Sequence, residues 1–424
     1  MISYAVVGAG DRGTTYARWV AANPDQARVV AVAEPREHQR NALAAEHDIP
    51  PEHVFGSWQE LAAAPRLADA AIVATRDDEH VAPAISLAGK GYHLLVEKPL
   101  APTEDECRTL VEAVTGAGVL FAVCHVLRYR PYTTLLKRVL DEGRIGEVQS
   151  VQHLEPVGWW HYAHSFVRGN WRRTDEASFM LLAKSCHDID WLRHIVGRPI
   201  ERVSSFGSRG HFRPEHKPAG AAARCLDCAV EPECAFSGPR LYLNMVRAGF
   251  TGWPVSVLVD EVTEDSVEQA LRTGPYGRCV YECDNDVVDH QVVAMEFAGG
   301  VTATFQMTAF TAHMDRRTQI FGTRGTIDGD GERLSVYDFL SGQTEELTAA
   351  SLGADAGTGH GGGDAGLMEA FTTAVASGDA RSILSGPAES LETHLAVFAA
   401  ERSRLRGSVE SVNWARESAV SGRS

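Results

Sequence analysis

The chain has 424 residues, of which 44% are hydrophobic and 23% charged, the composition of an ordinary globular protein with room for two cores. A formal net charge of −16 argues against a nucleic-acid or anionic-membrane partner, although local basic pockets remain compatible with it. No apolar run reaches membrane-spanning length, no basic, cleavable leader precedes the first strand, and eight cysteines do not make a secreted disulfide scaffold, so a cytoplasmic location is expected.

The run Ile2 to Val7 reads as a strand that stops at Gly8-Ala9-Gly10-Asp11-Arg12-Gly13, before a helix from Thr14 to Asn23 with Tyr16, Trp19 and Val20 on one face. This is G-x-G-x-x-G in its required place, after a strand and opening a helix. Gly8 makes the turn, Gly10 admits a pyrophosphate and Gly13 permits close helix packing. The helix N-terminus offers its free N–H groups to that phosphate. A second strand, Arg28 to Ala33, delivers Glu34 about twenty residues on, where a carboxylate binds ribose hydroxyls and repels a 2′-phosphate. Arg36 is positioned to accept such a phosphate instead; NAD is nevertheless preferred over NADP.

A third strand, Asp69 to Thr75, places Thr75 and His80 on the cofactor rim before a helix from Val81 to Lys90, although His80 reads equally as a plain helix-start residue. The next strand, Leu94 to Val96, ends at Glu97-Lys98-Pro99. Ligands in open α/β sheets sit past the carboxyl ends of strands, so Glu97 and Lys98 stand where a cofactor meets a substrate. Pro99 restricts the backbone of Lys98. A helix from Thr103 to Ala117 and a strand from Leu120 to His125 complete a doubly wound parallel sheet.

Beyond it, a helix from Pro131 to Glu142 and a strand from Glu147 to Leu154 lead into an aromatic, basic segment with Trp159, Trp160, His161, Tyr162, His164, Arg168, Trp171, Arg172 and Arg173. Flat apolar faces beside guanidinium groups suit a sugar ring carrying hydroxyls or an anionic group, and suit an aromatic core edge equally. Phe179 to Leu182 precedes Ala183-Lys184-Ser185-Cys186-His187 and a helix to Val196; a strand from Ile200 to Ser205 follows. An insertion at about 206–275 contains His211 and Cys225-x₂-Cys228-x₅-Cys234, three of the four ligands of a structural zinc, with His211 the fourth or His216 its rival. Reduced thiols without metal are the alternative. Cys279 to Glu282, Gln291 to Phe297, Val301 to Phe310, Thr318 to Phe321 and Thr326 to Ile327 read as strands, with Ala298-Gly299-Gly300 a hairpin turn. The loop Gly359-His360-Gly361-Gly362-Gly363-Asp364 is expected to close over substrate or to serve as a linker; helices from Ala365 to Ser377 and from Ala388 to Leu405 follow.

Gly8-Ala9-Gly10, Glu97-Lys98-Pro99 and His125-x-x-Arg128-Tyr129-x-Pro131 together resemble the glucose–fructose oxidoreductase, inositol dehydrogenase and rhizopine-catabolism (Gfo/Idh/MocA) family over nearly the whole chain. The resemblance implies an α/β fold: a Rossmann domain over 1–125, then an α+β domain over 126–424 whose open, mainly antiparallel sheet joins a homodimer or homotetramer. It implies NAD chemistry on a hydroxyl of a sugar or cyclitol, and some similar enzymes are NAD-dependent glycosidases. Lys98 and His187 match the family's catalytic pair, but the aspartate of its Asp-x-x-x-His is Ala183 here, with Lys184 beside it as a further catalytic candidate. The carboxylate that would recharge the histidine is absent. Substrate contacts are expected from His125, Arg128, Trp159, His164, Arg168, Trp171, Arg172 and His360.

Two chemistries follow: net oxidation or reduction of a sugar, sugar acid or cyclitol, and redox-neutral glycoside cleavage through transient oxidation at C3. The altered site and basic segment favour the second, on an anionic sugar. A non-catalytic nicotinamide sensor is disfavoured by the presence of Lys98 and His187.

Overall fold

The computed structural model describes residues 1–352 and 360–412; Gly359, which opens the predicted glycine-rich loop, lies outside the described residues. Strands β1 (Ile2–Val7), β2 (Ala27–Ala33), β3 (Val54–Phe55), β4 (Ala70–Val73), β5 (His93–Val96) and β6 (Phe121–Val123) form a parallel sheet in the order β3-β2-β1-β4-β5-β6. The chain winds outward from β1, then returns to lay β4 on its other side, which opens a crevice at the carboxyl ends of these two strands. Val6, Ile72 and Leu95 are fully buried, as continuous apolar strands covered on both faces must be.

The second sheet contains β7 (Val148–Pro156), β8 (Ile200–Ser208), β9 (His290–Phe297), β10 (Thr302–Thr308), β11 (Arg317–Gly322), β12 (Gly325–Gly329), β13 (Arg333–Asp338), β14 (Thr344–Thr348) and β15 (Glu410–Ser411). Its order is β14-β13-β12-β11-β7-β10-β9-β8-β15, antiparallel except where β7 meets β10. Alternation is clean: Val293, Met295, Ala303 and Phe305 are buried, whereas Val292, Ala294, Thr304 and Gln306 face out. One face therefore packs on the interior and the other is open. Gly299 and Gly300 both take positive φ at the predicted hairpin turn.

Several local features differ from the sequence reading, beginning with the unpredicted edge strand β3. Cys279 to Glu282 is not a strand: the Cys279 N–H donates to the Ala223 carbonyl and Arg278 makes one bridge to Arg224, which turns the segment into the insertion. The insertion has its own core, in which helices Gly238–Arg247 and Glu264–Thr273 bring together Tyr242, Leu243, Val255, Val267 and Leu271. The late edge strands β13 and β14 extend the sheet beyond the predicted hairpin.

Helix Gly363–Ser377, read with the second domain, packs on the parallel sheet instead. Leu367, Met368 and Phe371 join Tyr4, Val6 and Ile72 in one core, and the Tyr4 hydroxyl lies 2.8 Å from Thr372 Oγ1. This return carries Asp364 to the glycine-rich turn. No helix among the described residues is long and apolar enough to cross a membrane.

Candidate active site

The turn after β1 is built by its glycines. Gly8 has φ of +93°, and a Cβ there would sit 2.5 Å from the Ala74 carbonyl oxygen; at Gly13 it would meet the Gly8 oxygen at 1.9 Å. Gly10 differs, because its Cβ position meets nothing closer than Arg36 Nη2 at 3.5 Å. Gly10 is also the N-cap of helix Asp11–Ala22 and no side chain caps that end. The uncrowded glycine beneath an uncapped helix N-terminus fits a pyrophosphate.

Glu34 is buried at the tip of β2. Its carboxylate accepts from the Ala9 N–H at 2.8 Å, the Arg36 N–H at 3.0 Å and Arg36 Nε at 2.7 Å. Burial opposes its ionisation, but the hydrogen bonds from Arg36 and Ala9 outweigh it and hold the pKa below the usual range. Arg36 is thus already paired with a carboxylate, which fits ribose hydroxyls better than a phosphate. On the rim, Thr75 Oγ1 lies 3.0 Å from His80 Nδ1; burial keeps His80 below its ordinary pKa.

At the end of β5, buried Glu97 accepts from Arg12 Nε at 2.7 Å and the Tyr16 hydroxyl at 2.6 Å. Arg12 also reaches Asp364, which lies 3.0 Å from His360 Nδ1. Asp11, by contrast, lies exposed in the first turn of the helix. Lys98 extends past the sheet and donates from Nζ to the Ala183 carbonyl at 2.6 Å. The lysine is therefore held by backbone at the very position where the motif's carboxylate would stand.

His187 sits beside this lysine, with ring centroids 5.8 Å from His125 and 6.4 Å from His360. Burial, then the charges of Lys98 and its neighbours, pushes its pKa well below the ordinary value, so its imidazole is neutral at neutral pH. Its buried Nδ1 has no hydrogen-bond partner among the described residues. Lys184 Nζ lies 3.3 Å from Glu155, which pairs with Arg316 at 2.9 Å; Arg316 in turn grips Asp188 at 2.5 Å, and Asp188 lies 3.0 Å from His153. His161 is held neutral by burial and by Lys184.

The structure brings Lys98, His187, Lys184 and His360 together, and adds Glu155, Arg316, His161 and Asp364 to them. Other expected substrate contacts are turned away. Arg128 is buried in a bidentate pair with Asp190 at 2.7 and 2.8 Å, and His125 lies behind His187, 3.6 Å from the same carboxylate. His164 is enclosed, 2.7 Å from the Tyr242 hydroxyl and stacked on Tyr276. Arg168 is spent on the carbonyls of Arg278 and Phe236. Trp159 packs on Phe236, Trp171 donates to Asp77 at 3.4 Å, and Arg172 pairs with Asp284. His211 lies 3.2 Å from the Tyr281 hydroxyl and does not join the cysteines Cys225, Cys228 and Cys234. A zinc closed by His211 therefore does not fit this geometry.

Residues 2–125 match the family model of the GFO_IDH_MocA oxidoreductases, NAD-binding Rossmann fold, and residues 137–351 match its C-terminal alpha/beta domain. The chain belongs to the Gfo/Idh/MocA family. Within that family, YteT of Bacillus subtilis (strain 168) is 24% identical over 71% of both chains. The 2,7-anhydro-N-acetylneuraminate hydratase of Escherichia coli (strain K12) is 29% identical over 49% of this chain and 53% of its own length. Levoglucosan dehydrogenase in complex with NADH and L-sorbose shares the fold, with a TM-score of 0.72 and 20% identity over 97% of this chain and 99% of that one. Membership makes this chain an enzyme of an oxidoreductase family with an NAD-binding Rossmann domain.

Proposed function

We propose that the protein is a redox-neutral, NAD-dependent enzyme that cleaves a glycosidic or anhydro bond of an anionic sugar. The observation that carries this reading is a neutral His187 flanked by Lys98, Lys184 and Arg316, with a methyl group at Ala183 where a recharging carboxylate would stand. The partial match to an anhydro-neuraminate hydratase supports the same chemistry.

NAD, when bound, would supply a reversible hydride acceptor. Gly10 and the helix N-terminus would hold its pyrophosphate, and Glu34 its adenosine ribose. Lys98 binds the sugar C3 hydroxyl and holds its proton as the carbonyl forms. The ketone acidifies the neighbouring C2–H, and neutral His187 removes that proton. The C1–O bond breaks, water adds at C1, C2 is reprotonated and the C3 hydroxyl is restored. Lys184 exchanges its pair with Glu155 for the sugar's anionic group, while Arg316 stays paired with Glu155 and Asp188. His360, tethered by Asp364, closes the side facing His187. We assign the Rossmann unit to 1–125 and the substrate unit to 126–424, with helix Gly363–Ser377 crossing back. The outward face of the nine-stranded sheet is the surface for a second copy of the chain.

Net oxidation of a free sugar or cyclitol is the second reading, favoured by the 30% identity to inositol 2-dehydrogenase 1 of Saccharopolyspora erythraea over 59% of this chain and 65% of that one. Purified protein with NAD and a panel of nitrophenyl glycosides, uronides included, separates the two. Nitrophenol released only with NAD, and without accumulating NADH, is the expected result. NADH formed from free sugars with no nitrophenol would establish the dehydrogenase.

A further inference from the structure

The insertion holds a cluster that the proposed reaction does not use. Cys225, Cys228, Cys234 and Cys279 line one small cavity together with Arg168 and Tyr281. All four are free thiols. The first three come from two single turns of 3₁₀ helix, Cys225–Asp227 and Glu231–Glu233, and the fourth arrives from the segment after the insertion that turns back toward it.

Each sulfur is met by a donor. The Ala222 N–H points to Cys228 Sγ at 3.4 Å, and Arg168 Nη2 to Cys225 Sγ at 3.4 Å. The backbone N–H groups of Phe236 and Tyr281 serve Cys234 and Cys279, each two residues along the chain. A neutral thiol is a weak acceptor and gains little from such donors, whereas a thiolate needs them. Burial raises Cys234 and Cys279 above the ordinary thiol range; Arg168 brings positive charge to Cys225 and Cys234, whereas Lys217 is paired with Glu282 at 2.6 Å. Four thiolates in an apolar cavity would repel each other strongly without a cation between them.

We propose that Cys225, Cys228, Cys234 and Cys279 form a tetrathiolate centre for a soft metal. Each thiol gives up its proton as its sulfur ligates the metal, and Arg168 offsets part of the net negative charge left behind. Among the described residues no three His, Cys, Asp or Glu side chains converge tightly enough to grip a single bare ion as they are placed. The sulfurs ring the cavity instead. Either a zinc ion draws them inward by side-chain rotation, or an iron–sulfur cluster fills the space with its own sulfides; both use the same four thiolates. The centre fastens the insertion to the segment Trp159–Arg168, because Arg168 bonds both Cys225 and the Phe236 carbonyl.

Full-length protein, purified without oxygen or chelator, is analysed for zinc, iron and acid-labile sulfide. The expected result is roughly one zinc per chain, or two to four irons with matching sulfide and broad visible absorption. Cys279→Ser should lower that content by about tenfold or more, while His211→Ala should keep it. If Cys279→Ser fails to fold, Cys228→Ser, at a half-buried position, gives the same reading. Neither metal above trace in the native protein, or metal lost from His211→Ala and kept in Cys279→Ser, would overturn the proposal.

Discussion

At position 183 the chain carries a methyl group where the family motif carries a carboxylate, and Lys98 hydrogen-bonds the backbone carbonyl there instead. Lys98→Ala should therefore reduce turnover by about 10²-fold or more while leaving NAD affinity, measured by calorimetry, within a few-fold of native. Ala183→Asp would place a negative charge beside His187 and raise its depressed pKa. The acid limb of kcat/KM should then move to higher pH, because the base becomes protonated sooner; an unchanged profile would remove His187 from that role. Gly8, Gly10, Gly13, Glu34 and Lys98 were legible in the sequence because their meaning is local, a turn or a strand end. Arg128 and Arg168 were not, since the direction of an arginine depends on partners far along the chain: Asp190 for the first, Phe236 and Arg278 for the second. Glu155 and Arg316 carried only a weak signal, each lying at the tip of a strand.

Five of the six parallel strands were legible at the scale of elements because they are short apolar runs; the two-residue edge strand β3 was too short to leave such a run. The core of the insertion was not, because its two helices are amphipathic and bury narrow apolar faces on each other, so the many polar residues between those faces conceal it. Helix Asp11–Ala22 rests directly on its turn, and Gly13→Ala would force a Cβ to 1.9 Å from the Gly8 oxygen. That variant should lose NAD binding by calorimetry and melt at lower temperature, whereas native behaviour would refute the close packing. The open sheet face exposes Phe206 and Val292 on adjoining strands. Val292→Glu should shift the protein to a smaller species in light scattering at unchanged helix content, if that face joins copies of the chain.

Across the whole molecule, several buried histidines respond to pH in one direction. Burial, foremost among the causes, lowers His125 and His164 to about 3 and His194 and His394 to about 4. An unfolded chain protonates these groups near 6.5, so between 6.5 and about 4 it binds protons that the folded protein refuses. Their stabilising effect is complete above pH 6.5 and is lost progressively as pH falls. Thermal melts should thus show Tm dropping steadily from pH 7 to pH 5, before the carboxylates titrate; a flat Tm over that range would contradict the buried, neutral state of these rings.

The most direct test of the central claim is a reaction in D₂O with catalytic NAD and a uronide or anhydro-sugar acid, followed by mass spectrometry and NMR of the product. The account predicts one solvent deuterium at C2 in each product molecule, with no accumulating NADH, because His187 removes that proton and the hydride returns to C3. Stoichiometric NADH with no deuterium at C2 would contradict it and leave a simple sugar dehydrogenase.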